Sequence, residues 1–141
     1  MYLIDTAVIR EAGRGSMAHA GVLTFFEEVQ RERSRLFLAA VSVGELSRAL
    51  ALIRQRGEEP QARQLEDWLG RLVQDHGESL LALDARAARL WGLLLARHPQ
   101  QIIALQIAAI ALVHDLTLVT RQTPVLGIAG VRVRDPWAVA G

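Results

Sequence analysis

The chain has 141 residues, 51% hydrophobic and 22% charged, a balance that suits a packed core and is at odds with disorder. It has no cysteine, which excludes disulfides and thiolate metal sites and accords with a reducing compartment, the cytoplasm. Sixteen basic against fifteen acidic residues leave a formal charge of +1, so no strong global field draws in nucleic acid.

Tyr2-Leu3-Ile4 is a short strand-like run, and Asp5-Thr6 supplies a helix-start signal for a first helix over Ala7 to Glu11. The start has neither the basic flank nor the long apolar core of a secretory signal. Gly13-Arg14-Gly15 ends that helix. A second helix runs from about Met17 to Arg33, with Val22, Phe25, Phe26 and Val29 at helical spacing. Leu36 to Val41 reads as a strand covered on both faces. Ser42 to Gln55 is helical, with Leu46, Ala49, Leu50 and Ile53 on one face. After Gly57-Glu58-Glu59-Pro60 comes a helix over Gln61 to Asp75, and then a short strand at Leu80 to Leu83. Asp84 caps a helix over Ala85 to Arg97, and Pro99 opens an apolar helix to His114. Its Ile102 to Val113 core, interrupted by Gln106, is too short to cross a bilayer. Leu116 to Thr120 and Val131 to Val133 are the last two strands. Strands alternating with helices imply a mainly parallel sheet of four to five strands between helical layers, with residues 1–141 forming one domain.

In such sheets, ligands gather beyond the carboxyl ends of the strands. Asp5, the Ser42 to Glu45 segment and Thr120 to Thr123 lie at those ends. Converging carboxylates from Asp5 and Glu45 suit Mg²⁺ or Mn²⁺, which prefer hard oxygen ligands. Each acid also has a plainer role. Asp5 is a good N-cap, and Ser42-Val43-Gly44-Glu45 has the capping-box form, in which Glu45 reaches back to the helix start. The four histidines lack ligand spacing, and Gly13-Arg14-Gly15 is too short for a phosphate-binding loop.

In order and spacing these segments resemble the PIN domains of the VapC-like and FitB-like branch of toxin–antitoxin ribonucleases. The resemblance rests on Met1-Tyr2-Leu3-Ile4-Asp5-Thr6, on Val41-Ser42-Val43-Gly44-Glu45-Leu46, and on Leu83-Asp84 through Trp91-Gly92. It is strongest from Ile107-Ala108-Ala109 through Thr120-Arg121, and it extends to Gly130-Val131-Arg132-Val133 and Asp135-Pro136-Trp137. It implies a three-layer α/β/α sandwich, a homodimer, a cognate antitoxin, and Mg²⁺- or Mn²⁺-dependent cleavage of RNA. Asp5 and Glu45 match the first two acidic positions and inherit catalytic and metal-binding roles.

The other two acidic positions of the family pattern are occupied by Ala104 and Val125, and Ala7 replaces a common Asn. Neither alanine nor valine can ligate a cation, and the neutral side chains of Gln106 and Gln122 are poorer donors, so any ion is weakly held. Two functions follow: a ribonuclease with a reduced site, or a catalytically inactive relative that binds an antitoxin or RNA. For the second, the apolar second helix and the Leu65–Trp68–Leu69–Leu72 face are the candidate antitoxin surfaces, and the arginines Arg54, Arg56, Arg63 and Arg71 a candidate RNA surface. Ordinary core packing and a solvated face are the alternatives.

Overall fold

The computed structural model describes residues 1–121, 127 and 129–138. Its strands are β1 (Tyr2–Ile4), β2 (Leu36–Ala39), β3 (Leu80–Leu81), β4 (Thr117–Val119) and β5 (Val133–Arg134). Its helices are α1 (Thr6–Ala12), α2 (Ala20–Glu32), α3 (Ala40–Gln55), α4 (Glu59–Asp75), α5 (Ala85–Arg97) and α6 (Ile102–Val113). The strands pair in the order β3-β2-β1-β4-β5, every pairing parallel. This agrees with the expected sheet and puts β1 at its centre, with Ile4 opposite both Leu38 and Val119.

Side-chain alternation divides the core between the two faces of the sheet. Leu3, Ala39 and Leu118 point into a cluster with Ala87 and Leu94 of α5 and Leu105, Ala108 and Ile110 of α6. Their neighbours Ile4, Leu38 and Val119 point the other way, to Val8, Phe25, Leu46 and Leu69 of α1 to α4. The result is a three-layer α/β/α sandwich. α6 is apolar all round because it lies beneath the sheet and against α5; Leu105, Ala108, Ala109, Ile110 and Ala111 have no exposed surface. No helix among the described residues is long and apolar enough to cross a membrane.

Several boundaries differ from expectation for local reasons. α2 begins at Ala20 rather than Met17: Gly15, at φ +61°, leads a 3-10 turn over Gly15–Met17, and His19 Nδ1 then caps the helix by accepting from Gly21 N at 3.0 Å. α4 begins at Glu59 because Pro60 is tolerated in a first turn, where its missing N–H has no helical partner. α6 begins at Ile102, three residues beyond Pro99, and β5 lies two residues later than the Val131 start expected of it. Asp84 caps α5 as expected, accepting from Ala87 N at 2.9 Å. Gly13 has ordinary helical torsions, so its role is close approach: a Cβ there would sit 2.8 Å from Trp68 Cζ2.

Parts of these candidate recognition surfaces are engaged within the chain. Leu69 is buried, and Trp68 and Leu72 pack on the same core. Arg54 pairs with Glu59 and Glu66, and Arg63 with Glu59.

Candidate functional site

Asp5 follows the central strand, in extended conformation just before α1. Its Oδ1 accepts from Thr6 N at 2.8 Å, so the expected N-cap is present. Its Oδ2 accepts from the Thr120 hydroxyl at 2.7 Å, across from the end of β4. Both carboxylate oxygens are thereby oriented by groups that are themselves buried, Thr6 at 9% exposure and Thr120 at 0%.

Glu45 does not play the capping role its spacing suggests. α3 starts two residues before Ser42, directly after β2, with Ala39 at the N-cap and no side-chain cap. Ser42 is consequently inside the helix and 1% exposed. Its hydroxyl meets Thr6 Oγ1 at 2.8 Å, and Thr6 Oγ1 meets Glu45 Oε1 at 2.5 Å. A threonine hydroxyl has one proton, so with the carboxylate taking it, Ser42 must donate to Thr6. The chain Ser42 to Thr6 to Glu45 fixes the acid from α1, the neighbouring element, rather than from its own helix end.

Asp5 and Glu45 therefore line one cavity of about 790 Å³ among α1, α3 and the start of α6. Ile103, Ala104 and Ile107 form an apolar wall of that cavity. Ala7 lines it too, whereas Gln106 is not among its lining residues. Val125 and Gln122 fall outside the described residues.

Sequence reasoning named none of the cavity's other charged groups, Arg10, Glu11, Arg14 and Arg121, as site residues, although Arg121 lies in the Thr120 to Thr123 segment expected at a strand end. Glu11 accepts from Arg14 Nη1 at 3.0 Å and from His19 N at 2.9 Å, so it ties down the turn between α1 and α2. Arg121 lies over the Trp137 ring, 4.2 Å from its centroid, and both side chains face the cavity. The Arg10 and Arg14 spacing on and after α1 carried a weak signal; the Arg121–Trp137 stack carried none. Three carboxylates thus face three guanidinium groups. Among the described residues no group of three or more His, Cys, Asp or Glu is placed to share a metal ion.

A family model described as the PIN domain matches residues 2–123. The chain belongs to the PIN-domain family. This PIN domain is 30% identical over 142 residues to the plasmid stability protein StbB of Pseudomonas syringae pv. tomato, with 97% of the chain and 99% of that protein covered. Among solved structures it is similar to FitAcB from Neisseria gonorrhoeae, at 25% identity and a TM-score of 0.76, with 99% and 100% of the two chains covered. It also shares its fold with VapBC2 from Rickettsia felis bound to a DNA fragment from their promoter, at 14% identity and a TM-score of 0.70, over 94% and 96% of the chains. PIN domains are generally metal-dependent nucleases.

Proposed function

We propose that this chain is the toxin-type component of a toxin–antitoxin module, a PIN ribonuclease with a reduced acidic site. The observation that carries this reading is that Asp5 and Glu45, forty positions apart, open into one cavity and are linked through Thr6. The resemblance to StbB and to the Fit and Vap proteins supports a cognate antitoxin as partner; a homodimer acting in the cytoplasm completes the proposal.

The donor set is made of oxygen alone: two carboxylates with the hydroxyls of Thr6 and Thr120 behind them. That chemistry fits Mg²⁺ or Mn²⁺. Mg²⁺ is commonly held by one or two carboxylates together with substrate phosphates; among the described residues Asp5 and Glu45 are the pair that fits, since Glu11 is taken up by Arg14 and His19 N, so binding without substrate is weak. Asp5 and Glu45 would hold the ion, which when bound lowers the pKa of a water and offsets charge on a phosphodiester. The protein's own part is positioning. Thr6 N and Thr120 hold the two oxygens of Asp5, Thr6 holds Glu45, and Arg10, Arg14 and Arg121 draw an anionic substrate to the same opening.

Ala104 in the cavity wall favours a second reading, a catalytically inactive relative that binds an antitoxin or RNA. Calorimetric titration with Mn²⁺ and an RNA-cleavage assay, each on the wild type and Asp5→Asn, separate the two. Binding with Kd below about 1 mM and metal-dependent cleavage, both lost in Asp5→Asn, are expected of the ribonuclease. Absence of both, in a protein that still captures its antitoxin, would establish the inactive relative instead.

A further inference from the structure

A second cavity, of about 460 Å³, shares Thr6, Arg10, Glu45 and Ile103 with the first, so the two form one continuous groove. Beyond Glu45 it follows α3 and is lined by Arg48, Leu52 and Arg56. Its charge is lopsided, with three guanidinium groups against the single Glu45 carboxylate. Arg48 and Arg56 are exposed and, among the described residues, form no ion pair, and Arg10 is in the same condition. Arg54 of the same helix is the contrast: it pairs with Glu59 and Glu66, and those contacts raise its pKa, the Glu66 hydrogen bond first. The helix thus neutralises the arginine that faces α4 and leaves open the two that face the groove.

We propose that this extension is a subsite for the phosphodiester backbone of single-stranded RNA flanking the reacting bond, with Arg48 and Arg56 as its outer contacts and Arg10 at its junction with the acid pair. The proposal rests on the ribonuclease reading of the cavity. Guanidinium forks match phosphate oxygens, and unpaired exposed ones give up no internal partner on binding. Eight residues of helix separate Arg48 from Arg56 by about 12 Å, more than one phosphate group can span. Between them Leu52 and across the groove Ile103, 39% and 41% exposed, offer apolar surface to sugars and base faces. An acidic peptide would meet the same cations; continuity with the Asp5 and Glu45 carboxylates of a nuclease-type fold decides for nucleic acid.

The test is fluorescence anisotropy of a labelled single-stranded uridine-rich RNA, in EDTA, over a salt series, with the wild type, Arg48→Gln/Arg56→Gln and Arg54→Gln. Both mutated arginines of the double variant are exposed, and circular dichroism checks that it folds. The slope of log K against log salt should become shallower by about 1.4 in the double variant, about 0.7 for each lost phosphate contact, and stay unchanged in Arg54→Gln. An unchanged slope in the double variant, an equal loss in Arg54→Gln, or absence of wild-type RNA binding at low salt would overturn the subsite. So would polyglutamate that displaces the RNA and loses affinity in the same variant. Because EDTA removes cleavage from the readout, the two readings fail separately. RNA binding with the expected slopes but no Mn²⁺-dependent cleavage removes only the nuclease, and cleavage with unchanged slopes removes only the subsite.

Discussion

Replacing Thr6 by valine keeps the shape of a buried side chain and deletes the hydroxyl that joins Ser42 to Glu45. Ser42 is 1% exposed and makes its side-chain hydrogen bond to Thr6, so its own hydroxyl would be stranded away from water. A stranded buried polar group costs about 1–3 kcal/mol. Glu45 is only half-buried and can turn to solvent, which keeps its share small. The expected loss is about 2 kcal/mol, or a fall in Tm of about 6 °C for a chain of this length. Urea unfolding followed by tryptophan fluorescence measures it. The decisive comparison is Thr6→Val/Ser42→Ala, where both partners are gone: it should be more stable than the sum of the single losses by about 1 kcal/mol. A Thr6→Val variant within about 0.5 kcal/mol of wild type, or a double variant whose losses simply add, would refute the bridging role.

Ala104→Asp adds a carboxylate to the apolar wall of the cavity, and calorimetry should show Mn²⁺ binding tightened on the order of tenfold or more, since one unit charge at about 4 Å is worth roughly 4 kcal/mol before desolvation is subtracted. The same variant should melt lower without metal, because the added acid repels Asp5 and Glu45. Elsewhere, the Arg134 guanidinium, by its hydrogen bond first and its charge second, holds the Glu28 carboxyl below its ordinary value of 4.5. A carboxyl lowered in the folded state adds stability that is complete above that ordinary value and is lost as pH falls through the lowered one. Glu28→Gln should therefore melt below wild type at neutral pH, with the difference closing as melting curves are taken below about pH 4.5.

The sandwich and the position of Asp5 were legible because the signals behind them are local. Tyr2-Leu3-Ile4 is short, apolar and followed at once by a cap residue, and the cap is there. Asp84 and α5 were legible for the same reason. The start of α3 was not, since Ser42 to Glu45 imitates a capping box while the backbone turns helical two residues sooner, drawn by the burial of Ser42 against Thr6. Burial of that kind depends on a residue 36 positions away, which no local pattern encodes. Arg121 and Trp137 likewise meet from well-separated positions, and Glu11, a cavity residue, also accepts from His19 N beyond the end of its helix.

The central place of β1 bears on the order in which the molecule can be assembled. A strand made early has to wait for β2 on one side and, far later in synthesis, for β4 on the other. The Thr120 bond that orients Asp5 joins groups 115 positions apart. Pairings so distant form slowly and late. The Asp5 carboxylate thus gains its Thr120 partner only once nearly all of the sheet is in place.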